Sequence, residues 1–384
     1  MMNQEFDQTR VILVRHGQST YNEQKRYQGC CDESLLTQKG KQQAFQTGIA
    51  LSKIKFDAIY TSPLKRTRQT AWEIFKVNNF SENLNSKLSI NSNLKEVYLP
   101  GWQGLQYKYV REEFAEEYRI WEEQPHEFTT ENTESNGHTL IKTRTKPVLQ
   151  LYKKAEEFWQ EILPLHRGKT ILVVSHGGTI RALIGTATGI HPQKYHSIQQ
   201  SNSGINILNF GNSLPGQFVK IEAINQTQHL GEVLPKLKNG KYGLRLLLLP
   251  VFGKPVKGNF EKISRFLRST ELDFCISNNN LDAQLISESI IEKQPSPPVN
   301  LQVSQDNFLD IWHQTISKRS QNHHSLNTGL VVADKNTISS TLAQVIGVKS
   351  PECLQLNQGE ISILFYPISQ NKPVLQAMNI TGIS

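Results

Sequence analysis

The chain has 384 residues, with 42 Lys and Arg against 34 Asp and Glu and 37% hydrophobic residues. That length suits two domains of ordinary size, and that composition excludes a disordered chain. The formal charge of +8 is spread out, with no basic stripe interleaved with aromatics, so no nucleic-acid partner is expected. The surplus reads as that of a soluble basic protein, or as a field that steers a small anionic substrate.

Met1–Arg10 is polar and lacks an apolar signal core. Val11–Val14 reads as a buried strand that breaks at Arg15-His16-Gly17. Cys30 and Cys31 are adjacent, and with Cys275 and Cys353 they show no zinc-site spacing. No metal and no cofactor is expected. Thr37 is an N-cap candidate for a helix to about Ser52. Phe56–Tyr60 is a second strand. Ser62-Pro63 is expected to cap a helix over Leu64–Lys76, which places Arg66 in its first turn. Ser81–Asn93 reads as loop, Tyr109–Glu123 as one charged helix and Thr145–Ile162 as an amphipathic helix. Ile171–Val174 is a third buried strand and breaks at Ser175-His176-Gly177. A helix over Thr179–Thr188 and a strand over Ile205–Phe210 come next.

Asn225–Tyr242 turns polar and reads as a linker. Gln294–Pro298 reads as a loop of the C-terminal part. Leu246–Leu249, the longest aliphatic run, is far too short to span a bilayer. The expected setting is cytoplasmic and reducing, with no membrane partner.

Four segments recur in the same order. Ile171–Ile180 aligns without gaps on Gly329–Ile338, and Gln200–Gly204 aligns on Gln355–Gly359. Phe56-Asp57 resembles Leu272-Asp273, and Leu246–Leu249 takes the place of Val11–Val14. His176 then falls opposite Asp334, Arg15-His16-Gly17 opposite Pro250-Val251-Phe252, and Arg66 near Asp282. The expected organisation is a catalytic domain over 1–225, a linker over 226–243 and a degenerate, non-catalytic copy over 244–384. The copy is read as structural or as the seat of homo-oligomerisation, with a regulatory ligand-binding module as the alternative.

Two parallel strands that each end in His-Gly would set two histidines at one pocket. A phosphomonoester dianion needs cations and oriented donors, and arginine forks match its oxygens. Arg15 and Arg66 supply the forks. Gly17 and Gly177 let the backbone approach a ligand, and Asn22 and Gln28 could donate amide hydrogen bonds. His16 is the candidate nucleophile, forming a phosphohistidine, and His176 would stabilise the transferring oxygens. Glu96, before the aromatic and glycine-rich stretch Val97–Gly104, is the candidate general acid.

These residues carry a resemblance. Arg15–Asn22, Gln28-Gly29 and Leu36–Gly40 are similar to the opening signature of the histidine phosphatase superfamily, in its phosphoglycerate mutase-like branch. Tyr60–Ala71 resembles its second motif, Leu94-Lys95-Glu96 the place of its acid, and Val173–Arg181 its last motif. The resemblance covers roughly residues 8–212. It implies a three-layer, doubly wound, mostly parallel α/β sheet, followed here by a smaller repeat of that fold. It further implies nucleophilic His16, general acid Glu96, and a phosphate pocket of Arg15, Arg66, His176 and Asn22, with Gln28, Gly29 and Gly177 beside it, and no metal.

The cofactor-dependent mutases of this family follow the acid with an arginine and Tyr-Gly, and carry a later adjacent arginine pair. This chain has Glu96-Val97-Tyr98-Leu99-Pro100-Gly101 and no adjacent arginine pair before His176. A phosphatase of small phosphorylated acids, phosphoserine or a sugar-acid phosphate, is therefore expected. The alternatives are a mutase and a non-catalytic phosphometabolite-binding protein. Where the phosphatase branch often has Gly-Gly-Glu-Ser, this chain reads Asn136-Gly137-His138-Thr139. The long architecture is similar to cyanobacterial and plastid phosphatases.

Overall fold

The computed structural model describes residues 8–77, 88–136, 139–211, 219–238, 240–253, 257–304, 308–319, 325–368 and 372–380. They fall into two compact units. The first runs to His196 and includes Gln200–Lys220; the second holds Ser197–Gln199 and the chain from Ile221 onward.

The first unit contains β1 (Thr9–Arg15), β2 (Ala58–Thr61), β3 (Leu88–Ile90), the hairpin β4 (Thr130–Asn136) and β5 (Thr139–Thr145), β6 (Thr170–Ser175) and β7 (Ile205–Phe210). Its main sheet has the order β7-β1-β6-β2-β3, parallel except for β7. Val11–Val14 and Ile171–Val174 are fully buried, as continuous apolar runs demand of strands covered on both faces. The chain moves outward from β1 to β2 to β3 and returns to β6. Right-handed crossovers therefore put the helices Gln38–Ala50 and Lys65–Lys76 on one face and Pro147–Ile162 and Gly177–Thr188 on the other. This is the expected three-layer α/β class.

Local expectations fail where tertiary contacts compete. Leu88–Ile90 is a strand and Ser92–Leu94 a 3₁₀ turn, where loop was expected, because β3 pairs with β2. The helix expected over Tyr109–Glu123 is two helices, Tyr107–Glu113 and Ala115–Glu123, broken at Phe114 (φ −119°, ψ 44°). Thr145 belongs to β5, and its helix starts at Pro147. Gly137 and His138 lie outside the described residues, as do residues 81–87.

The second unit contains the rest of β8 (Val219–Gln226), then β9 (Gly243–Val251), β10 (Phe274–Asn278), β11 (Val299–Val303), β12 (Leu326–Asp334), β13 (Ile361–Pro367) and β14 (Val374–Ile380). Its order is β11-β10-β12-β9-β13-β14-β8. β9, β10, β11, β12 and β13 therefore hold the places and directions of β1, β2, β3, β6 and β7. An aspartate clip also recurs. Asp57 exchanges hydrogen bonds with Thr170 (2.9 Å each way), and Asp273 with Thr328 (2.8 and 2.6 Å).

The compact units divide at Lys220 rather than at residue 225, because β8 pairs with β14 at Ile224 and Met378. The segment expected to be a linker is packed. Val233 and Leu234 lie against the core of the second unit, and the Pro235 carbonyl accepts from buried Arg245 (2.9 Å). Among the described residues no helix is long and apolar enough to cross a membrane.

Candidate active site

β1 and β6 end together, with Arg15 paired to Ser175. The next residues are therefore neighbours. The rings of His16 and His176 meet edge to face, 5.3 Å between centroids, and both are buried.

His16 Nδ1 lies 2.7 Å from the Gly17 carbonyl oxygen. A carbonyl only accepts, so Nδ1 carries the proton and the lone pair of a neutral ring sits on Nε2. The Gly17 N–H donates to Thr70 Oγ1 (3.1 Å), which steadies this step. Gly17 was expected to make room for a ligand. Instead a Cβ there would stand 2.3 Å from the Gly40 carbonyl oxygen, so the glycine admits the helix start at Gly40. Thr37 caps that helix as expected, accepting from the Gly40 N–H.

Arg66 is fully buried in the first turn of Lys65–Lys76. Nη1 donates to the Cys31 carbonyl (2.7 Å) and Nη2 to that of Gly29 (2.9 Å). Arg15 Nη1 donates to the Gln200 carbonyl (2.9 Å). The Nε atoms of both arginines and Nδ1 of His176 are buried without a hydrogen-bond partner. Unsatisfied buried polar groups are costly and call for a ligand or solvent partner. Burial lowers both arginine pKa values, but guanidinium remains charged. Burial first, then Arg66, His16 and Arg15, hold His176 well below 6.5, so its ring is neutral at pH 7.

Ser62 does not cap the helix; Leu64 takes the N-cap position without a side-chain bond. The Ser62 hydroxyl instead lies 2.8 Å from His176 Nε2, because β2 ends beside β6. His176 is itself the N-cap of Gly177–Thr188, a helix that begins two residues before the expected Thr179. The positive end of that helix favours an anion at the site. Gly177 faces Arg15: a Cβ there would lie 3.2 Å from Arg15 Nε.

The opening loop is cross-tied. Asn22 Oδ1 accepts from Asn202 Nδ2 (2.9 Å), which also donates to the His16 carbonyl (3.1 Å). Gln28 Oε1 accepts from Ser19 Oγ (2.8 Å) and Ser34 Oγ (3.1 Å), so Gln28 is a brace of the loop. Gly29, at φ 51°, turns its carbonyl to Arg66.

Glu96 is held by its backbone and its carboxylate. The carbonyls of Leu94, Lys95 and Glu96 accept from Ser175 Oγ (2.9 Å), Thr179 Oγ1 (2.9 Å) and Cys30 Sγ (3.1 Å). The carboxylate accepts from the N–H groups of Val97 (2.9 Å) and Gly178 (3.2 Å). A Cβ on Gly178 would fall 2.3 Å from both Glu96 Oε1 and the Tyr195 hydroxyl oxygen. Sequence reasoning misses Ser62, Thr70, Gly178, Tyr195 and Asn202 as site residues. Ser62 reads there as a helix cap, and Asn202 lies in a repeated segment that stands out only for its repetition.

The site thus gathers two guanidinium groups, a carboxylate and an imidazole lone pair around the ends of β1 and β6 and the start of Gly177–Thr188. A model of the histidine phosphatase superfamily (branch 1) matches residues 11–221. The chain belongs to that superfamily. Among its relatives, a probable 2-carboxy-D-arabinitol-1-phosphatase of Arabidopsis thaliana is 37% identical over 220 residues, 57% of this chain and 42% of that protein. Phosphoserine phosphatase 1 of Hydrogenobacter thermophilus is 31% identical over 223 residues, 58% of this chain and 95% of that protein. A solved phosphoserine phosphatase of Entamoeba histolytica, in complex with 3-phosphoglyceric acid, is 27% identical. It covers 58% of this chain and 99% of its own, with a TM-score of 0.45. The matched region thus spans less than half of the plant relative and nearly all of the two shorter phosphatases.

Proposed function

We propose that the chain is a metal-independent phosphomonoesterase of small phosphorylated acids, working through a phosphohistidine. The observation that carries this reading is His16. Its Nδ1–H is tied to the Gly17 carbonyl, which leaves Nε2 as the nucleophilic nitrogen, in a site where buried Arg66 and half-buried Arg15 each keep an unspent Nε–H donor.

In the first step His16 Nε2 bonds to phosphorus and the ester P–O bond breaks. Glu96, protonated, gives its proton to the leaving oxygen. Arg15, Arg66, neutral His176 and the helix start at Gly177 stabilise charge on the equatorial oxygens. In the second step water attacks phosphorus, Glu96 takes its proton, and the P–N bond breaks to release phosphate. The named relatives include phosphatases of 2-carboxyarabinitol phosphate and of phosphoserine, and both of those substrates are phosphorylated carboxylic acids. The residues after Glu96 and the missing arginine pair favour hydrolysis over phosphate isomerisation.

Chelator-treated protein is expected to release phosphate from a panel of phosphorylated acids. It should also form an acid-labile phosphoprotein. His16→Ala should lose at least about 10³-fold in kcat and all labelling. Full turnover by His16→Ala would overturn the reading, and conversion of phosphoglycerate to its isomer without free phosphate would replace hydrolase with mutase.

A further inference from the structure

His176 has one ring nitrogen engaged and one not. Its Nε2 lies 2.8 Å from the Ser62 hydroxyl oxygen, while its Nδ1 is buried with no hydrogen-bond partner among the described residues. Burial and the neighbouring cations keep the ring neutral at pH 7, so one nitrogen carries a proton and the other a lone pair. Only the form with its proton on Nδ1 can donate from there to a phosphoryl oxygen. A lone pair on Nδ1 would repel the oxygens of a dianion.

The surroundings of Ser62 separate the two forms. The residue is fully buried and held by its backbone. Its N–H donates to the Val174 carbonyl (3.2 Å), and its own carbonyl accepts from Thr67 Oγ1 (2.9 Å) and Thr61 Oγ1 (3.2 Å). The hydroxyl oxygen accepts from the Leu64 N–H (3.4 Å). The hydroxyl hydrogen then has His176 Nε2 as its acceptor, and no other occurs among the described residues. With the proton on Nε2 instead, the Ser62 hydrogen and the Nδ1 lone pair would both be buried unpaired, which is costly. With the proton on Nδ1, only that N–H is left over, and a phosphate oxygen can accept it. The second unit has the same polarity at the matching place: Asn278 Nδ2 donates to the carboxylate of Asp334, the residue aligned with His176 (3.2 Å).

We propose that Ser62 is a positioning residue whose hydroxyl donates to His176 Nε2 and so presets the proton on Nδ1 for the phosphoryl group. This rests on the phosphatase reading above but is tested separately from it. The test is imidazole NMR of the nitrogen-15-labelled full chain at pH 7, with the His176 signals assigned by their loss in His176→Gln. Without phosphate, wild-type His176 should already carry its proton on Nδ1, and adding inorganic phosphate should not move it. Ser62→Ala removes the donor, and its His176 should populate the Nε2–H form. Binding of inorganic phosphate to Ser62→Ala, measured by calorimetry, should weaken about tenfold, and kcat/KM for p-nitrophenyl phosphate should fall by a similar factor. A wild-type ring with its proton on Nε2 in the absence of phosphate would overturn the proposal, whatever the variant does. So would a Ser62→Ala protein whose His176 signals and kcat/KM match the wild type. A proton on Nδ1 in the wild type and on Nε2 in Ser62→Ala, in a protein that hydrolyses no phosphomonoester, would overturn the catalytic reading and leave the role of Ser62 standing.

Discussion

The two units share strand order, strand direction and an aspartate clip, and they differ at the carboxyl ends of their strands. In the first, Thr61 pairs with Val174, and just beyond that pair the Ser62 hydroxyl lies 2.8 Å from His176 Nε2. In the second, Ser277 pairs with Val332, and Asn278 Nδ2 lies 3.2 Å from Asp334 Oδ2 at the corresponding place. Arg66 and Asp282 are each the second residue of their helices. His16 has Val251 as its counterpart, and Arg15 has Pro250. Asp334 Oδ1 accepts from the Thr337 N–H (2.9 Å), so the helix Lys335–Ile346 is capped by its own carboxylate. Where the first unit leaves a helix start and cations to meet an anion, the second supplies a built-in one. A frame of buried aliphatic strands thus recurs in the second unit with different residues at its rim.

Substitutions can break or sharpen that contrast. Arg66→Lys keeps a charge but loses the fork that holds Gly29 and Cys31, and kcat/KM should drop about 10²–10³-fold. A small drop would mean that the cationic rim does not separate the two units. Gly178→Ala forces a methyl against Glu96 and Tyr195; displacement of the acid by about 1 Å should cost about 10² in kcat, visible in steady-state rates.

The third expectation concerns pH. His176 has a folded-state pKa below its unfolded value of about 6.5, so the unfolded chain binds the extra proton first. Its contribution is fully present above pH 6.5 and is lost as pH falls toward the folded pKa, at up to about 1.4 kcal/mol per pH unit. Denaturation curves of His176→Gln between pH 7 and 5 should be flatter than those of the wild type by that slope. The smallest effect is expected in the second unit. Asp334→Ala should cost about 1 kcal/mol of stability through the lost cap and leave kcat unchanged. A large loss of turnover would show that this rim is tied to catalysis after all.

Much of the site was legible because its residues sit at breaks in strong patterns. Val11–Val14 and Ile171–Val174 announce buried parallel strands, and the residues just beyond the carboxyl ends of such strands meet at one edge of the sheet. Arg66 was legible as a first-turn arginine. Ser62 misleads for a physical reason: a serine before proline suits an N-cap, and nothing local reveals that β2 ends against His176. Gly17 misleads likewise, since its partner Gly40 lies twenty-three residues on. Leu88–Ile90 carries too short an apolar signal to show as a strand, and only pairing with β2 makes it one. Phe114 breaks a charged helix that periodicity alone would continue.

By itself the sequence determined the α/β alternation, the two His-Gly strand ends, the order of the four motifs and the echo of the fold after residue 243. These depend on local apolar runs and on residue identity, which a one-dimensional reading contains. Tertiary structure alone decided which imidazole nitrogen of His16 carries the proton, which carbonyls accept from the arginine forks, and that Gly178 holds open the space shared by Glu96 and Tyr195. Those are matters of a few tenths of an ångström between residues tens to hundreds of positions apart, and only packing brings such groups together.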